Sequence, residues 1–454
     1  MRKISPLILL LLGIQLFAVT AFCQYVSGPM LGQVEIRTAK IWVEVKPQTK
    51  KLSLRYWKKD KPSVVSTQIA APEAGAWYTP VLFTLVNLEM NTAYEYEVVI
   101  ESAKTERLPK ADFHTLELWQ WRKPAPDFSF LTGSCAYFNE PMYDRPGKPY
   151  GGDSSIFEAM GKEKAAFMMW LGDNWYTREA DYYSVWGLYY RASRDRSWPV
   201  MHDFLKNMSH YAIWDDHDYG YNDADKSFIF RNASTEVFKK YWANPAYGQD
   251  GQGIYTKLSY SDCDFFMMDD RSFRSSDRME PRIDGKPNPD KKMWGDKQME
   301  WLKNSLVSSN AVFKIIVTGS QTLNVASPWD CLQNYPIEFD DLMNFLKAEK
   351  INGVLFITGD RHHSEINKYD RAGTYSLYDI TSSALTSGVG KVGGAELNNP
   401  GRLPNTLVEQ NNYARISVSG KAGERAMKVE FLGVKGELLA SWSVTETQLK
   451  TPTP

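Results

Sequence analysis

Apolar and polar residues alternate regularly in the first part of the chain that follows the N-terminal segment. The alternation is clearest in three runs typical of half-buried strands, 39–45, 52–57 and 94–100. Proline, glycine and asparagine clusters separate these runs at the short intervals of a β-sandwich. The pattern therefore predicts an all-β sandwich over residues 25–114, with almost no candidate catalytic group. The stretch 115–127, which contains two prolines, is predicted to be a linker.

From Phe128 the pattern changes to short, wholly apolar runs that alternate with amphipathic stretches. This alternation predicts an α/β domain over residues 128–450. The stretches 179–190 and 298–306 have helical spacing. Three late segments are predicted to form a closing antiparallel sheet: 413–418, 427–432 and 438–444.

Six of the apolar runs end abruptly in polar residues that can bind a metal or a phosphate group. The polar segments are 132–135, 172–176, 215–218, 269–271, 318–321 and 359–363. Ligand sites of open α/β sheets lie beyond the carboxyl ends of the strands. We therefore expect one edge to collect the side chains of Cys135, Asp173, Asp216, Asp269, Gln321 and Asp360. Unpaired carboxylates are very unfavourable together in a partly dry site, so bound multivalent cations are predicted.

The residue types in these segments indicate which metals fit. Of the six histidines, only His217, His362 and His363 lie there, so a histidine-rich dizinc site is disfavoured. Carboxylates, a phenol and a thiol suit a hard cation such as ferric iron beside calcium or another oxygen-preferring ion. Asp173 and Tyr176 are three residues apart and can face one ion on a turn that follows a strand.

The ordered motifs resemble those of the alkaline phosphatase D (PhoD-like) family of metallophosphoesterases. They are Gly133-Ser-Cys135, Gly172-Asp-Asn-Trp-Tyr176, Trp214-Asp-Asp-His-Asp218, Asp270-Arg-Ser-Phe-Arg274 and Gly359-Asp-Arg-His362, with 298–302 leading to 319–321. The resemblance covers most of the chain. It implies an N-terminal sandwich of the fibronectin or immunoglobulin type, followed by an α/β/β/α sandwich metallophosphoesterase domain. It also implies hydrolysis of phosphate esters, of the alkaline phosphatase or phosphodiesterase type.

The same resemblance implies a role for each matching residue. A ferric ion would be held by Cys135, Asp173, Tyr176 and Asp360. Asp173 would bridge to a calcium ion completed by Asp216 and His362, and a hydroxide between the metals would be the nucleophile. His217 would lie near the leaving group or the phosphoryl oxygens. The chain departs from the wider superfamily in lacking Asp-x-His after the first strand, and in having Gly-Asp-x-His where Gly-His-x-His is usual. Asp216 also stands where asparagine is frequent.

Each candidate also has a structural interpretation. Cys135 could be a small buried apolar residue and Tyr176 a core aromatic residue. Asp269 is predicted to be structural because Arg271 can neutralise it. Arg178 and Arg271 are predicted to bind substrate phosphate, as Arg274 and Arg361 could, and the alternative is ion pairing within the acidic cluster.

Residues around these candidates have supporting roles in the prediction. Asp215 and Asp218 could cap the turn that holds Asp216 or orient His217. The aromatic residues within 182–190 fall at helical spacing, so core packing is their expected role, with a substrate-pocket wall as the alternative. Better pocket candidates, because they lie nearer the proposed ligands, are Trp175, Tyr219 and Tyr221.

The N-terminal segment 1–23 is predicted to be a signal peptide. Arg2 and Lys3 precede an apolar run too short to span a bilayer, and cleavage is expected before Gln24. Lipid attachment at Cys23 is the alternative, disfavoured by the large Phe22 before it. The protein is thus expected to be exported to the periplasm or outside the cell, with no transmembrane segment in its mature form.

The net charge limits which partners the chain is expected to bind, and the cysteine count limits which thiols can pair. The formal net charge of -1 gives no broad positive field for nucleic acid or an anionic membrane. Three cysteines would remain after cleavage, so at least one thiol is unpaired. We expect a monomer that acts on a small-molecule or lipid phosphate ester and binds no specific nucleic-acid sequence. The rival hypothesis is a non-catalytic secreted binding module whose metals only stabilise the fold.

Overall fold

The N-terminal region of the computed structural model is built from short β-strands. The structure describes residues 24–101, 105–328 and 330–452, so the signal peptide predicted at 1–23 lies outside the described residues. The strands of this region are β1 (Tyr25–Val34), β2 (Ala39–Val45), β3 (Lys51–Lys58), β4 (Ser66–Ala70), β5 (Thr79–Leu85), β6 (Ala93–Glu101), β7 (Glu106–Arg107) and β8 (Ala111–His114).

These strands form two sheets that share one apolar core. In one sheet β2 pairs with β1 and β5, and in the other β3 pairs with β4 and β6, while β7 and β8 pair with β6. Strand β5 illustrates the alternation, because Phe83 and Leu85 are buried and Leu82 is exposed. Leu54 and Val98 of the second sheet complete the same core. The prediction of a β-rich N-terminal region is confirmed.

The rest of the chain alternates strands and helices. The strands are β9 (Phe128–Gly133), β10 (Phe167–Leu171), β11 (Ser209–Ile213), β12 (Thr256–Tyr260), β13 (Cys263–Met267), β14 (Arg282–Ile283), β15 (Lys286–Pro287), β16 (Phe313–Thr318), β17 (Val354–Thr358), β18 (Glu365–Tyr369), β19 (Leu377–Thr381), β20 (Asn412–Ser419), β21 (Ala426–Gly433) and β22 (Leu438–Thr445). The α-helices are α1 (Ile156–Gly161), α2 (Val185–Arg196), α3 (Met201–Asn207), α4 (Asp216–Tyr219), α5 (Arg231–Tyr241), α6 (Gly295–Val307) and α7 (Pro336–Ala348). Short 3₁₀ turns occur at Leu332–Asn334, Gly394–Asn398 and Glu446–Leu449.

Two mixed sheets face each other in this part of the molecule. The first has the order β22-β21-β20-β9-β10-β11-β1-β2-β5 and the second β12-β13-β16-β17-β19-β18. Side chains of β10 show the layering, since the ring of Phe167 contacts Phe265 of the second sheet, with centroids 5.4 Å apart. Trp170 faces the other way, toward Phe157 of α1 and Phe204 of α3. Burial on both faces explains why these strands read as continuous apolar runs.

Helices cover the second sheet as well. Phe266, next to Phe265 in β13, contacts Trp301 of α6, with ring centroids 6.5 Å apart. Leu302 of α6 and Leu342 of α7 are fully buried in the same core. The layers therefore follow the order helix, sheet, sheet, helix.

The N-terminal strands continue directly into the first sheet. Strand β1 pairs antiparallel with β2 and parallel with β11, through Leu31 and Ser209. The indole of Trp42 donates to the carbonyl of Lys240 at 2.8 Å, and the hydroxyl of Tyr241 donates to Glu44 at 2.7 Å. Paired strands and side-chain hydrogen bonds thus join the N-terminal region to the α/β part.

Two expectations about secondary structure have different outcomes. The closing antiparallel sheet is present as β20–β22, which extends the first sheet from β9. The predicted helix 179–190 is wrong at its start, because 179–184 is a turn and α2 begins at Val185. Ser184 caps it by accepting the amide of Gly187 at 3.0 Å. Within the described ranges, the structure has no helix long and apolar enough to cross a membrane.

Candidate metal centre and active site

The strand ends meet where the backbone turns sharply. Four candidate ligands are non-glycine residues with left-handed backbone, Cys135 (φ 63°), Asp173 (φ 50°), Asp360 (φ 65°) and His362 (φ 57°). This region is uncommon for such residues, and strained conformations cluster at functional sites. The amide of Ala136 donates to the carbonyl of Asp173 at 2.8 Å, which ties the first two turns together.

Glycines let these turns approach one another closely. A Cβ atom on Gly172 would lie 2.6 Å from the Cβ of Asp215, and Gly172 has a φ of 93°. A Cβ atom on Gly359 would lie 2.7 Å from the carbonyl oxygen of Leu171. Neither clash can be relieved by a flexible side chain, so packing requires the glycine of both Gly-Asp motifs.

One group of possible ligands joins three strand ends. The thiol sulfur of Cys135 lies 3.6 Å from Oδ2 of Asp173, and ligand atoms of these two residues and His362 lie within 4.8 Å of one another. Nε2 of His362 is 3.2 Å from the hydroxyl of Tyr176. Asp360 contributes its carbonyl oxygen 3.7 Å from the sulfur of Cys135, but among the described residues its carboxylate is in neither three-residue ligand group at this site.

A second group shares Asp173 with the first. Ligand atoms of Asp173, Asp216 and His217 lie within 4.8 Å of one another. The amide of His217 donates to Oδ1 of Asp173 at 3.2 Å and to Oδ1 of Asp216 at 3.0 Å. The amide of Asp223 donates to Oδ2 of Asp216 at 2.6 Å. His362 thus lies with Cys135, whereas the family resemblance implies that it completes the second metal site, and His217 lies with Asp216.

The short helix α4 holds the second group in place. Asp215 and Asp218 form a reciprocal cap at its start, and Asp218 also accepts the amide of Asn174 at 2.9 Å. The side-chain amide of Asn174 donates to the carbonyl of Ile213 at 2.8 Å. The capping role expected for Asp215 and Asp218 is confirmed.

Burial makes negative charge costly throughout this site. Burial, and then the charge of Asp216, raise the pKa of Asp173 well above its usual value. Burial raises the pKa of Cys135 to about 12 and that of Asp360 to about 7. Burial opposes ionisation of Asp216 too, but the neighbouring His217 and Arg271 together hold its pKa below the usual value. The protein alone therefore favours protons on Asp173, Cys135 and Asp360 but not on Asp216, and cations are what would keep the first three groups ionised.

The hydrogen bonding of the His217 ring indicates whether a metal fits this site. Nδ1 of His217 is buried and, among the described residues, has no hydrogen-bond partner. Its ring lies 4.2 Å from that of Tyr176, centroid to centroid. A buried nitrogen without a partner is unfavourable. A cation or a substrate oxygen would satisfy it, and the surrounding carboxylate, phenol, thiol and imidazole donors suit hard and intermediate cations.

The arginines are held by acidic groups. Arg178 contacts Asp144 at 3.0 Å and lies 3.9 Å over the ring of Tyr137. The buried Arg271 bridges Asp215 and Asp330, with Nε 2.6 Å from Asp215. Arg274 shares Asp330 at 2.7 Å, and Arg361 pairs with Glu396 at 2.8 Å. Ion pairing, the alternative interpretation of these residues, describes their contacts in the structure.

Two of the six predicted strand-end side chains serve the fold instead. Asp269 accepts the indole of Trp214 at 2.8 Å and the amide of Ile254 at 2.9 Å, so its expected structural role is confirmed. The side-chain amide of Gln321 donates to Glu365 at 2.9 Å in a separate buried network. Away from the site, Cys263 and Cys331 are buried free thiols.

Sequence reasoning missed Tyr150. Its hydroxyl lies 3.0 Å from Nδ1 of His362, so it contacts a candidate ligand directly. It belongs to a loop rich in proline and glycine and follows no strand, so only the composition of that loop could have drawn attention to it.

Some of the residues discussed as pocket candidates line a cavity in the structure, and others lie in the core. Tyr221 lines a cavity of about 540 Å³ beside Tyr176 and His217. Trp175 and Tyr219 instead lie in the core, at 2% and 0% exposure. Tyr182 and Tyr183, for which core packing is the expected role, line the cavity.

Two facing mixed sheets, with acidic, histidine, tyrosine and cysteine side chains gathered at their strand ends, define the metallophosphoesterase class of protein. The model of the PhoD-like phosphatase family matches residues 130–431. The chain therefore belongs to the PhoD-like phosphatase family, and the resemblance in its motifs is confirmed.

Individual relatives agree with this family. Alkaline phosphatase D of Bacillus subtilis (strain 168) is 23% identical over 287 residues, which are 53% of this chain and 46% of the relative. The chain thus matches about half the length of that curated relative. A solved structure of PhoD has a TM-score of 0.77 at 18% identity, and the match covers 95% of this chain and 92% of the PhoD chain. A purple acid phosphatase from yellow lupin (Lupinus luteus) has a TM-score of 0.65 at 10% identity, covering 93% and 75%. Both structures share the fold.

Proposed function

We propose that the protein is a metal-dependent phosphoesterase that hydrolyses phosphate esters at the two ligand groups joined by Asp173. The observation that carries this proposal is the position of Asp173 between Cys135 and His362 on one side and Asp216 and His217 on the other. One carboxylate shared by two ligand groups is the arrangement expected of a bridging ligand in a two-metal site.

We propose ferric iron for the group that contains Cys135, Tyr176 and His362, with Asp360 beside it. Calcium is the proposed ion for the carboxylates of Asp173 and Asp216, with His217 beside it. A thiol and a phenol suit the former, and carboxylate oxygens the latter. When bound, such cations would neutralise charge on the phosphoryl group and activate the attacking water. The distances between the ligand atoms support this division, in which His362 belongs to the proposed iron group.

The chain's own groups would act on the substrate around the cations. His217 is next to the cavity, and its buried Nδ1 is free of partners among the described residues, so it can contact a phosphoryl or leaving-group oxygen. Arg178 lines the same cavity and would add positive charge there. Arg271 is held by Asp215, the first cap of α4, so we assign it a positioning role for Asp216 and His217.

The rival function is a secreted binding module whose metals only stabilise the fold. A structural metal site is closed by its ligands and needs no adjacent space. Here a cavity of about 540 Å³ opens beside Tyr176 and His217. This opening favours catalysis over a purely structural site.

The test is hydrolysis of nitrophenyl phosphate and bis-nitrophenyl phosphate by the metal-loaded protein. We expect turnover that a chelator abolishes, and loss of at least a hundredfold in kcat for Asp173→Asn, since electrostatic groups of this kind contribute roughly that much. Asp341→Asn is the matched control, because Asp341 is a half-exposed carboxylate paired with Lys303 on the surface. Turnover that survives in Asp173→Asn would reject the mechanism, and no turnover on either ester would favour the binding module.

Several finer assignments complete the proposal. Residues 25–114 would be a fibronectin- or immunoglobulin-like domain, 115–127 a linker and 128–450 the phosphoesterase domain. The substrate would be a small-molecule or lipid phosphate ester, and the protein a monomer. Export by the segment 1–23 stays a prediction from the sequence.

A further inference from the structure

The cavity beside the metal-binding groups has an unusual wall. Seven of its sixteen lining residues are tyrosines: Tyr137, Tyr143, Tyr150, Tyr176, Tyr182, Tyr183 and Tyr221. Because His217 also lines it, the organic part of an ester whose phosphate lies at the metals would enter this space.

The tyrosine rings form two groups within the cavity. In the inner group, the ring of Tyr137 lies 4.9 Å from Tyr150 and 5.0 Å from Tyr176. In the outer group, the ring of Tyr182 lies 4.7 Å from Tyr183 and 5.9 Å from Tyr221. The rings within each group meet edge-on or tilted, not stacked. In the inner group, Arg178 covers one face of Tyr137 and the ring of His217 lies 4.2 Å from that of Tyr176, whereas the exposed ring of Tyr183 in the outer group is available to a flat ligand.

The lining also indicates which organic group fits. Among the described residues of the wall there is no leucine, isoleucine, valine, methionine or phenylalanine, and proline occurs once. An acyl chain would be expected to meet an aliphatic wall. In the lining, Arg145 pairs with Glu179 at 3.5 Å and Arg178 with Asp144 at 3.0 Å, so the exposed Lys148 leaves a small net positive charge, which suits a polar anionic ligand. This lining favours an aromatic, hydrogen-bonding group over a lipid tail.

We propose that the substrate is a phosphate ester of a nucleoside, with its base stacked on Tyr183 and in edge contact with Tyr182. This inference rests on the proposed phosphoesterase function and narrows its substrate class. Tyr183 is the key ring, because 73% of its surface is exposed beside the cavity and is available to cover a base. Base stacking on an aromatic side chain changes affinity by roughly tenfold or more per base.

The experiment compares two monoesters that share a leaving group. Adenosine 5′-monophosphate and ribose 5-phosphate both release a primary alkoxide and differ in the base. We expect the metal-loaded enzyme to have a kcat/KM roughly tenfold higher for the nucleotide. A diester pair, thymidine 5′-(nitrophenyl phosphate) and methyl nitrophenyl phosphate, applies the same comparison with nitrophenolate as the common leaving group.

Substitutions of the outer tyrosines test whether these rings cause the preference for the nucleotide over ribose 5-phosphate. Tyr183→Ala should lower the ratio of kcat/KM for the nucleotide to kcat/KM for ribose 5-phosphate toward one, while Tyr183→Phe should keep this ratio. Tyr182→Ala should independently reduce the same preference. Trp121→Ala is the matched control, because Trp121 is a fully exposed aromatic residue outside the cavity lining.

The outcomes separate this inference from the proposed function. Equal rates for both members of each pair, or a preference unchanged in Tyr183→Ala and Tyr182→Ala, would overturn the nucleoside assignment and leave the phosphoesterase. If no ester is hydrolysed, calorimetric titration of the same protein with adenosine and ribose decides. Adenosine binding that is lost in Tyr183→Ala would support a base-binding site without the proposed hydrolysis. The absence of adenosine binding would reject the base-binding site.

Discussion

Replacing Tyr150 with phenylalanine tests whether His362 is a metal ligand oriented by its neighbour. The hydroxyl of Tyr150 lies 3.0 Å from Nδ1 of His362, and Nε2 of the same ring faces Tyr176 at 3.2 Å. If Nδ1–H donates to Tyr150, the lone pair is on Nε2, the nitrogen that faces Tyr176, and His362 can then act as a ligand together with Cys135 and Asp173. A ligating histidine commonly has its other ring nitrogen held in this way.

The expected magnitude follows from burial. Loss of such a partner weakens metal binding by about 10–100-fold, which is about 1.4–2.8 kcal/mol. Tyr150 is 44% exposed, so water can take the place of the missing hydroxyl. We therefore expect Tyr150→Phe to lie near the lower end, about tenfold.

The assay is a chelator competition titration, with metal content measured in the wild type and in the variant. Tyr143→Phe is a matched control, because Tyr143 lines the same cavity and is also 44% exposed. Thermal denaturation of both metal-free variants checks that the fold is intact. Equal metal affinity in the wild type and Tyr150→Phe would refute the orienting role of Tyr150.

Two further predictions concern stability. Arg271→Met leaves the buried Asp215 without its ion-pair partner, so urea unfolding should show a loss of about 3–5 kcal/mol, and a loss below about 1 kcal/mol would contradict this. Burial raises the pKa of Asp218 to about 7, so its stabilising contribution is complete below its unfolded-state pKa and is lost as pH rises through about 7. Chelator-treated protein should thus be more stable at pH 5 than at pH 8, by roughly 2 kcal/mol from this group. The difference in stability between pH 5 and pH 8 should be smaller in Asp218→Asn. Identical pH profiles for the wild type and this variant would contradict the prediction.

The sequence predicts the location of the site well because the rule it uses concerns strand ends. Apolar runs that are buried on both faces must be strands of a covered sheet, as β10 and β13 are. The residues that follow parallel strands then meet at one edge, and Cys135, Asp173 and Asp216 do so.

The same rule cannot rank the side chains that reach the edge. Asp269 and Gln321 also follow strands, yet backbone amides, an indole and Glu365 engage them. Which polar group is satisfied by the fold and which is left for a ligand depends on contacts across the two sheets. No local pattern encodes these contacts, and the loop that carries Tyr150 escapes the rule entirely.

The division of ligands between the two groups depends on backbone geometry that residue order does not reveal. Cys135, Asp173, Asp360 and His362 all adopt positive φ, and each such turn redirects its side chain relative to an ordinary strand end. His362 adopts such a turn and its ring lies with Cys135, although the family resemblance implies that it belongs to the other group. At Asp360 the main-chain carbonyl, and not the carboxylate, contacts the cysteine sulfur. The turns that bring the candidate ligands together therefore also decide which of them lie in the same group.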